Sequence, residues 1–405
     1  MTVPRGAGNR IVTTGYAGTW ADLTVRSGWP DATAILAADN TDAVRAVWQH
    51  VTDGDRETLI TAARRIDDEQ AAEFSAAGLA VVRADRVEPS DADRAAEPGR
   101  LWLLTSGSTG RPKQVAHTLD SLTTVGGDQP PRVWLCPYAT GAYAWWQVVS
   151  LSLTVPGQDV VFVEPDQIDS WPQLALEHGV TAASGTPTFW RQALWRSGDT
   201  VARLPLEQIT LGGEPVDQGI LDRLREVFPD ARISWIYASS EAGAAIAVHD
   251  GSAGFPTAWL DRDTPGRPTL RVENDELLIV SPHAADGMPA VIPTGDRVEV
   301  TSDRVAIVGR IASDEINVGG SKASGSSVRR RLLDHPDVVW AAVRGRKAPL
   351  VGQMVVADVV LTDGAAATTN DLTAWCAQQL PDYSVPRRVR VLPEIPFKES
   401  LKSDV

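Results

Sequence analysis

The sequence predicts an α/β fold, in which a large layered N-terminal domain with parallel and mixed sheets precedes a small mobile α+β C-terminal domain. Three observations carry this prediction. The length of 405 residues suits two domains. Short apolar runs typical of buried strands alternate with segments of helical period. The pattern changes after about residue 310, so we place the two domains at residues 1–310 and 311–405.

The composition excludes several classes of partner. The chain is 43% hydrophobic and 22% charged, which is typical of globular proteins. Its formal net charge of -14 argues against binding to nucleic acid. We find no apolar run of about 18 residues and no leader pattern, so we predict no membrane association and a cytoplasmic location. Cys136 and Cys376 lack metal or redox spacing, which fits a reducing compartment.

The predicted elements of the large domain alternate between strand and helix. Apolar segments such as Ala32–Ala38 and Gly78–Val82 alternate with acidic, alanine-rich helical stretches. Next come a strand at Leu101–Leu104, a glycine-rich loop and a helix from about Leu119. The remaining elements are strands at Val160–Val163, Ile209–Leu211 and Ile233–Tyr237, and a helix over Val216–Phe228. We expect ligands to gather at the carboxyl ends of these strands.

The small domain is predicted to be a compact module of about 95 residues. Its elements are a loop at Gly319–Gly320, a short helix at Val328–Leu333, strands at Val338–Val343 and Met354–Leu361, and a helix at Asp371–Leu380. A hinge near Ile311–Asp314 would join it to the large domain.

The loop Thr105–Lys113 is a candidate phosphate site. Glycine and proline bend its backbone, while hydroxyl and N–H groups can wrap a polyphosphate and Lys113 adds a charge. Only five of the 38 basic residues are lysine, which makes this lysine notable. The sequence differs from the G-x-x-x-x-G-K-[ST] phosphate loop. The predicted phosphate contacts are Thr105, Ser106, Gly107, Ser108, Thr109, Gly110 and Lys113.

Further motifs follow this loop in order: Leu211-Gly-Gly-Glu-Pro-Val216, Tyr237-Ala-Ser-Ser-Glu-Ala-Gly243, Pro293-Thr-Gly-Asp-Arg297 and a terminal segment ending at Lys402. Alone, the Gly-Gly and Thr-Gly-Asp motifs are ordinary turns. Together with the loop, they resemble the adenylate-forming superfamily of acyl- and aryl-CoA ligases, adenylation domains and luciferases. The resemblance implies that ATP and Mg²⁺ are used to activate a carboxylic acid as its acyl-adenylate, with release of pyrophosphate.

The resemblance also implies a role for each matching residue. Ser240 would contact the α-phosphate, Glu241 would bind Mg²⁺, and Lys402 would bridge the acid and the α-phosphate. Lys398 is the fallback for Lys402, and Leu401 stands at the usual glycine position. The nucleotide contacts would be Gly213, Glu214, Pro215, Tyr237, Ala238, Ser239, Asp296 and Arg310, and the acceptor loop would contain Gly319, Gly320 and Lys322.

An aromatic segment is the candidate wall of the acid pocket. The predicted pocket residues are Tyr138, Tyr143, Trp145 and Trp146, together with Gly185 and Thr186. The wall carries no acidic side chain to hold an ammonium group, which favours an aryl or other apolar acid. The alternative interpretation is that these aromatic side chains fill the core.

The chain departs from the family pattern at several points. Fewer residues than usual precede the phosphate loop, so we expect a reduced first subdomain. Arg329 stands where the family has a glutamate, and the histidine common in CoA ligases is missing near Tyr138. The hinge residue is Ala312, Ser313 or Asp314.

The acyl acceptor stays open among CoA, a carrier protein acting in trans, and an amine. The competing functions are a catalytically silent adenylate-binding regulator and a phosphotransferase that releases ADP.

Overall fold

A computed structural model describes residues 3–25, 28–84, 86–105, 112–348, 352–396 and 401, without the side chains of residues 312 and 313. Within these residues the chain forms 24 strands in four sheets and ten α-helices, with five short 3₁₀ helices between them.

The strands are β1 Arg10–Thr13, β2 Tyr16–Thr19, β3 Ala32–Ala37, β4 Glu57–Ala62, β5 Ala80–Val82, β6 Val87–Glu88, β7 Leu101–Thr105, β8 Lys113–His117, β9 Arg132–Cys136, β10 Gln158–Phe162, β11 Ala182–Gly185, β12 Gln208–Gly212, β13 Arg232–Ser239, β14 Gly243–Val248, β15 Phe255–Pro256, β16 Thr269–Glu273, β17 Glu276–Val280, β18 Ile292–Val300, β19 Arg304–Arg310, β20 Glu315–Val318, β21 Ser321–Ser324, β22 Val338–Ala348, β23 Gly352–Leu361 and β24 Arg388–Val391. The helices are α1 Asn40–Asp53, α2 Asp68–Ala76, α3 Leu119–Leu122, α4 Tyr143–Thr154, α5 Trp171–Glu177, α6 Pro187–Val201, α7 Gln218–Val227, α8 Ile311–Asp314, α9 Gly325–Leu333 and α10 Thr369–Ala377.

Two sheets with parallel centres form the layered part of the fold. The eight-stranded sheet has the order β14-β13-β12-β11-β9-β10-β1-β2, and only its outer pairs are antiparallel. The six-stranded sheet has the order β6-β5-β3-β4-β7-β8. Every residue of β3 and β4 is buried, as expected for parallel strands covered on both faces. One hydrophobic core, which includes the buried face of α1, lies between the two sheets.

The two other sheets follow later in the chain. Strands β15 to β19 form an antiparallel sheet in the order β15-β19-β18-β17-β16. Strands β20 to β24 form the last sheet, which packs with α9 and α10 around a separate hydrophobic cluster. The predicted α/β class is therefore confirmed, with a small α+β module after the large layered part. The boundary at residues 310 and 311 stays a prediction.

Most predicted elements are present, but two regions differ. The chain after the glycine-rich loop forms β8, and the helix predicted from Leu119 is only the four-residue turn α3. Antiparallel pairing with β7 takes up Lys113–His117, and no helix or strand follows α3 before β9. The antiparallel sheet of residues 255–310 was not predicted. In the described parts of the chain, no helix combines the length and apolar composition that a membrane crossing requires.

Candidate active site

Three predicted segments lie side by side at one edge of the eight-stranded sheet. Strands β11, β12 and β13 are parallel neighbours, so their carboxyl ends meet at the same edge. Gly185 ends β11, Gly212 ends β12, and Ser239 ends β13. Gly213 has a φ of 81°, a backbone conformation that glycine adopts without strain. The following residues, Glu214 and Pro215, lead from this turn towards α7.

A buried carboxylate connects β13 to the antiparallel sheet. The Tyr237 hydroxyl donates to Asp296 Oδ2 at 2.5 Å, and Arg310 Nε lies 3.0 Å from Asp296 Oδ1. Burial raises the pKa of Tyr237, and the Asp296 charge raises it further, so the phenol keeps its proton. Asp296 is only 7% exposed, yet its negative charge is paired. The structure thus brings together three residues predicted to hold a nucleotide.

The turn after β13 places Ser240 and Glu241. The Ala242 N–H donates to Ser239 Oγ at 3.0 Å, and the Ala285 N–H donates to the Glu241 carbonyl at 2.9 Å. Both bonds fix the backbone of the turn between β13 and β14. Ala238 lies at an irregularity in the pairing of these strands, which precedes the turn.

His117 makes a hydrogen bond to the backbone of this turn, and the sequence analysis did not predict it. Its Nε2 donates to the Ser240 carbonyl at 2.7 Å, and its Nδ1 lies 2.9 Å from Ser121 Oγ. Burial lowers the pKa of His117, so the ring is neutral near pH 7. His117 ends β8, the strand that begins at Lys113 after the phosphate loop. It therefore connects the strand that begins at Lys113 to the turn that carries Glu241.

The phosphate loop itself lies largely outside the described residues. Thr105 and Lys113 pair across the ends of β7 and β8, and Lys113 is exposed. The predicted contacts Ser106, Gly107, Ser108, Thr109 and Gly110 fall in the stretch that is not described. The two residues that flank this stretch are thus adjacent at the paired ends of β7 and β8.

The described residues fit a magnesium ion only together with phosphate oxygens. No group of three or more histidine, cysteine, aspartate or glutamate side chains within the described ranges could hold a metal by itself. Glu241 offers one carboxylate at the strand edge. Mg²⁺ commonly binds one or two carboxylates plus substrate phosphates, so this donor set suits a metal that arrives with ATP.

The four aromatic side chains of the predicted pocket wall are all buried. Trp145 and Trp146 are at most 1% exposed, lie in the main core and meet edge to face at 5.2 Å. Trp145 Nε1 also donates to Asn40 Oδ1 at 2.9 Å. Tyr138 and Tyr143 belong to the same core. The Tyr138 hydroxyl lies 2.8 Å from Ser184 Oγ, beside Gly185. A pocket role for these four residues stays a prediction.

The end of the chain reaches the same strand edge. The Thr186 hydroxyl accepts from the Phe189 N–H at 3.0 Å, where it caps α6, and donates to the Leu401 carbonyl. Leu401 has a φ of 61° and is 1% exposed. Positive φ favours glycine, which explains the usual residue at this position. Lys402 and Lys398 lie outside the described residues.

The other predicted small-domain residues occupy a turn and a short helix. Gly319 and Gly320 have φ of 59° and 91° in the turn between β20 and β21, and Lys322 Nζ lies 3.0 Å from Glu315. The hinge candidates lie in α8. Asp314 accepts from the Ser326 N–H at 2.6 Å, which ties it to the start of α9.

Comparison with known proteins gives two family matches. The family described as AMP-binding enzyme matches residues 21–290, and AMP-binding enzyme C-terminal domain matches residues 330–402. Feruloyl-CoA synthase of Amycolatopsis sp is 26% identical, over 96% of this chain and 83% of that protein. 4-Chlorobenzoate–CoA ligase of Pseudomonas sp. (strain CBS-3) is 29% identical, over 74% of this chain and 63% of that protein.

Solved structures share the fold. A benzoate CoA ligase from Burkholderia xenovorans LB400 gives a TM-score of 0.75 at 17% identity, covering 98% of this chain and 96% of that one. The amide bond synthetase McbA from Marinactinospora thermotolerans gives 0.69 at 21% identity, with the same coverage. The family matches span most of the chain, in the order of the motifs. The chain therefore belongs to the AMP-binding enzyme family and is an AMP-forming carboxylic acid ligase.

Proposed function

We propose that the chain activates an aryl or other apolar carboxylic acid as its acyl-adenylate and passes the acyl group to a thiol or amine acceptor. The observation that carries this proposal is the convergence at one strand edge of the Tyr237–Asp296–Arg310 cluster, the Glu241 turn and the docked Leu401 segment. In this proposal, a nucleotide, a phosphate-bound metal and Lys402 occupy adjacent places.

In this proposal the nucleoside lies against Tyr237. Asp296 and Arg310 lie next to each other in paired positions of β18 and β19, where a carboxylate can accept hydrogen bonds from ribose hydroxyls. The Gly213 turn leaves backbone exposed beside the base, and Glu214 and Pro215 continue that wall. The polyphosphate runs from Ser240 towards the loop between Thr105 and Lys113.

The reaction is a displacement at the α-phosphorus. An oxygen of the acid attacks, the bond from the α-phosphorus to the pyrophosphate oxygen breaks, and pyrophosphate leaves. Lys402, which directly follows the docked Leu401, stabilises the charge that builds on the acid and the α-phosphate. When Mg²⁺ is bound at Glu241, it neutralises phosphate charge.

The polarity of the described pocket residues supports an apolar acid. Tyr138, Tyr143, Ser184 and Thr186 supply hydroxyl groups and no charge. Burial raises the pKa of Tyr138, so this phenol stays neutral at every working pH. An uncharged wall accepts an aromatic ring and offers no partner to an ammonium group. Feruloyl-CoA synthase and 4-chlorobenzoate–CoA ligase carry names of aryl acids, which points the same way.

The acceptor remains a choice between thiol and amine. The relatives include CoA ligases, a surfactin synthase subunit and, by fold, an amide bond synthetase. We take CoA as the first candidate, a carrier protein in trans as the second and an amine as the third. The domains in this proposal are residues 1–310 and 311–405, and we place the enzyme in the cytoplasm, where its two buried free thiols stay reduced.

The test measures acid-dependent release of pyrophosphate from Mg·ATP across aryl, hydroxy-aryl, amino-aryl and fatty acids. We expect release with one aryl class, and a loss of at least about 100-fold in Lys402→Ala. Lys398→Ala is the matched control and keeps near-normal release. Release of ADP, or no release with any acid despite measurable ATP binding, would contradict the proposal. Product analysis with CoA, a phosphopantetheinylated carrier or an amine then identifies the acceptor.

A further inference from the structure

Helix α6 of the large domain makes several of the described contacts with the small domain. Thr186, at its start, binds the Leu401 carbonyl. Trp195 packs against the buried Trp340 and Ile395 of the small domain. Arg196 Nη2 donates to Glu394 at 2.6 Å on the surface. Helix α6 starts at the strand edge that carries the candidate active site. It therefore connects the small domain to that site.

Arg191 makes a buried charged contact in this interface. Its Nη2 lies 2.6 Å from both carboxylate oxygens of Asp217 in the large domain, and its Nη1 donates to the Val339 carbonyl of β22 at 2.9 Å. The side chain is 8% exposed. One guanidinium therefore bonds both domains at once, and the Asp217 contact holds its plane in place.

The small domain presents Val339 at an irregularity of its sheet. Val338 pairs with Leu361 and Trp340 pairs with Val360, so Val339 is the extra residue of a β-bulge. A bulge takes a residue out of the ladder and can aim its groups elsewhere. Here the freed carbonyl receives its donor from the large domain.

The charges on the two sides of the interface are complementary. Arg329, the residue at the family's glutamate position, donates from Nε to the Ala341 carbonyl at 2.9 Å. Burial lowers the pKa of Arg329, and the nearby charge of Arg191 lowers it further, while Asp217 and Glu214 oppose that change. Burial raises the pKa of Asp217, but Arg191 and Arg329 outweigh it and hold the pKa below its ordinary value. The missing glutamate is thus replaced by a cation facing a large-domain carboxylate.

We propose that Arg191 is a positioning residue that holds the small domain in the orientation that delivers Lys402 to the acid-activating site. The proposal rests on the proposed function for its chemistry, but the orientation of the small domain can be measured without any activity. Arg191 contacts neither the Tyr237–Asp296–Arg310 cluster nor the Glu241 turn in the described structure. It acts through Val339 and Asp217, with Arg329 as the matching charge on the small domain.

The interface also has features of a contact that opens. Among the described residues, three buried side-chain nitrogens at this contact have no hydrogen-bond partner: Arg191 Nε, Trp195 Nε1 and Trp340 Nε1. A buried polar atom without a partner costs free energy that hydration would recover. A paired guanidinium therefore has to offset part of this cost in the docked orientation.

The test replaces Arg191 with Met, which keeps much of the stem but removes the charge. Arg196→Met, on the same helix but at an exposed contact, is the matched control. We expect Arg191→Met to lower kcat for acid-dependent pyrophosphate release at least about 10-fold, with KM for ATP within about threefold. Arg196→Met should stay within about twofold.

A second measurement reports the contact between the two domains and needs no enzymatic activity. In protein labelled with 5-fluorotryptophan, the ¹⁹F signal of Trp340, assigned with Trp340→Phe, should shift in Arg191→Met and stay in place in Arg196→Met. An unchanged Trp340 signal, or a shifted signal with normal pyrophosphate release, would overturn the proposal. Failure of the unaltered enzyme to release pyrophosphate would instead contradict the proposed function, while the ¹⁹F result still decides the docking role.

Arg191→Lys is a second variant that tests the proposal even if Arg191→Met does not fold. It keeps the charge but cannot bond Asp217 and Val339 together with the same geometry. We expect an intermediate loss of kcat and a partly shifted Trp340 signal. The positioning role would be overturned if Arg191→Met does not fold while Arg191→Lys has a normal kcat and an unshifted Trp340 signal. Arg191 would then be a charge that only folding requires.

Discussion

The proposed nucleotide edge, formed by Tyr237, Asp296 and Arg310, and the α6 interface both bury charged groups, but the partners of these groups differ. At the nucleotide edge, Asp296 is paired with Tyr237 and Arg310, all within the large domain. At the α6 interface, Arg191 draws one of its partners, the Val339 carbonyl, from the small domain, and nearby polar atoms have none. The difference indicates that the nucleotide edge is formed before ligands bind, whereas the α6 interface depends on the orientation of the small domain.

The largest expected effect comes from Asp296→Asn at the nucleotide edge. This change keeps the shape of the side chain but removes the charge between Tyr237 and Arg310. We expect ATP affinity to fall about 100-fold, or about 2.7 kcal/mol, by isothermal titration calorimetry. Asp250→Asn is the matched control, because Asp250 pairs with Arg304 at the surface. Equal affinity in both variants would show that the edge is not the nucleotide site.

Lowering the pH should reduce the stability of the large domain and leave the charges at the α6 interface unchanged. Burial lowers the pKa of His50 to about 4, and that of His117 also falls. Both rings are neutral when folded and gain protons on unfolding, so stability is full above about pH 6.5 and is lost as pH falls towards 4. His50 alone predicts a loss of about 2 kcal/mol between pH 7.5 and 5.

Urea unfolding at the two pH values measures this loss. His50→Gln should reduce the pH dependence, since it removes one of the protonation sites. A flat profile between pH 7.5 and 5 in the unaltered protein would contradict the buried neutral state of these histidines.

Trp340→Ala should cost less than its burial suggests. Trp340 is fully buried, but its cluster lies between α6 and the small-domain sheet, apart from the small-domain core. If the interface is built to open, the free energy of unfolding should fall by only about 1 kcal/mol. Leu372→Ala, within that core, should cost about 3 kcal/mol. A larger loss for Trp340→Ala would make the interface a permanent core.

The smallest expected effect is at Arg330, the neighbour of Arg329. Arg330 Nη1 lies 3.4 Å from Glu299 of the large domain, with both side chains at least 43% exposed. Arg330→Gln should change unfolding free energy by less than about 0.5 kcal/mol, because solvent screens such pairs. Arg329→Gln should produce a visibly larger change in the same denaturation experiment. Equal effects would mean that burial does not distinguish the two arginines.

Sequence patterns were most successful where one strand and its following turn carry the signal. The segments after β12 and β13 could be located because buried apolar runs mark both strands and a glycine pair follows Leu211. The antiparallel sheet was not predicted, since its short mixed strands lack a clear alternation. His117 was missed for a related reason: nothing local shows that a ring on β8 meets the carbonyl of Ser240, 123 residues later.

By itself the sequence determined the α/β class, the order of motifs and the acid-activating family, because these depend on local runs and on residue types at fixed spacing. Only the tertiary structure decided that Trp145 and Trp146 belong to the core, that Tyr237 meets Asp296, and that Arg191 bonds the bulge at Val339. Each of these depends on long-range packing, in which a side chain's partners come from distant strands and cannot be read from its neighbours in the chain.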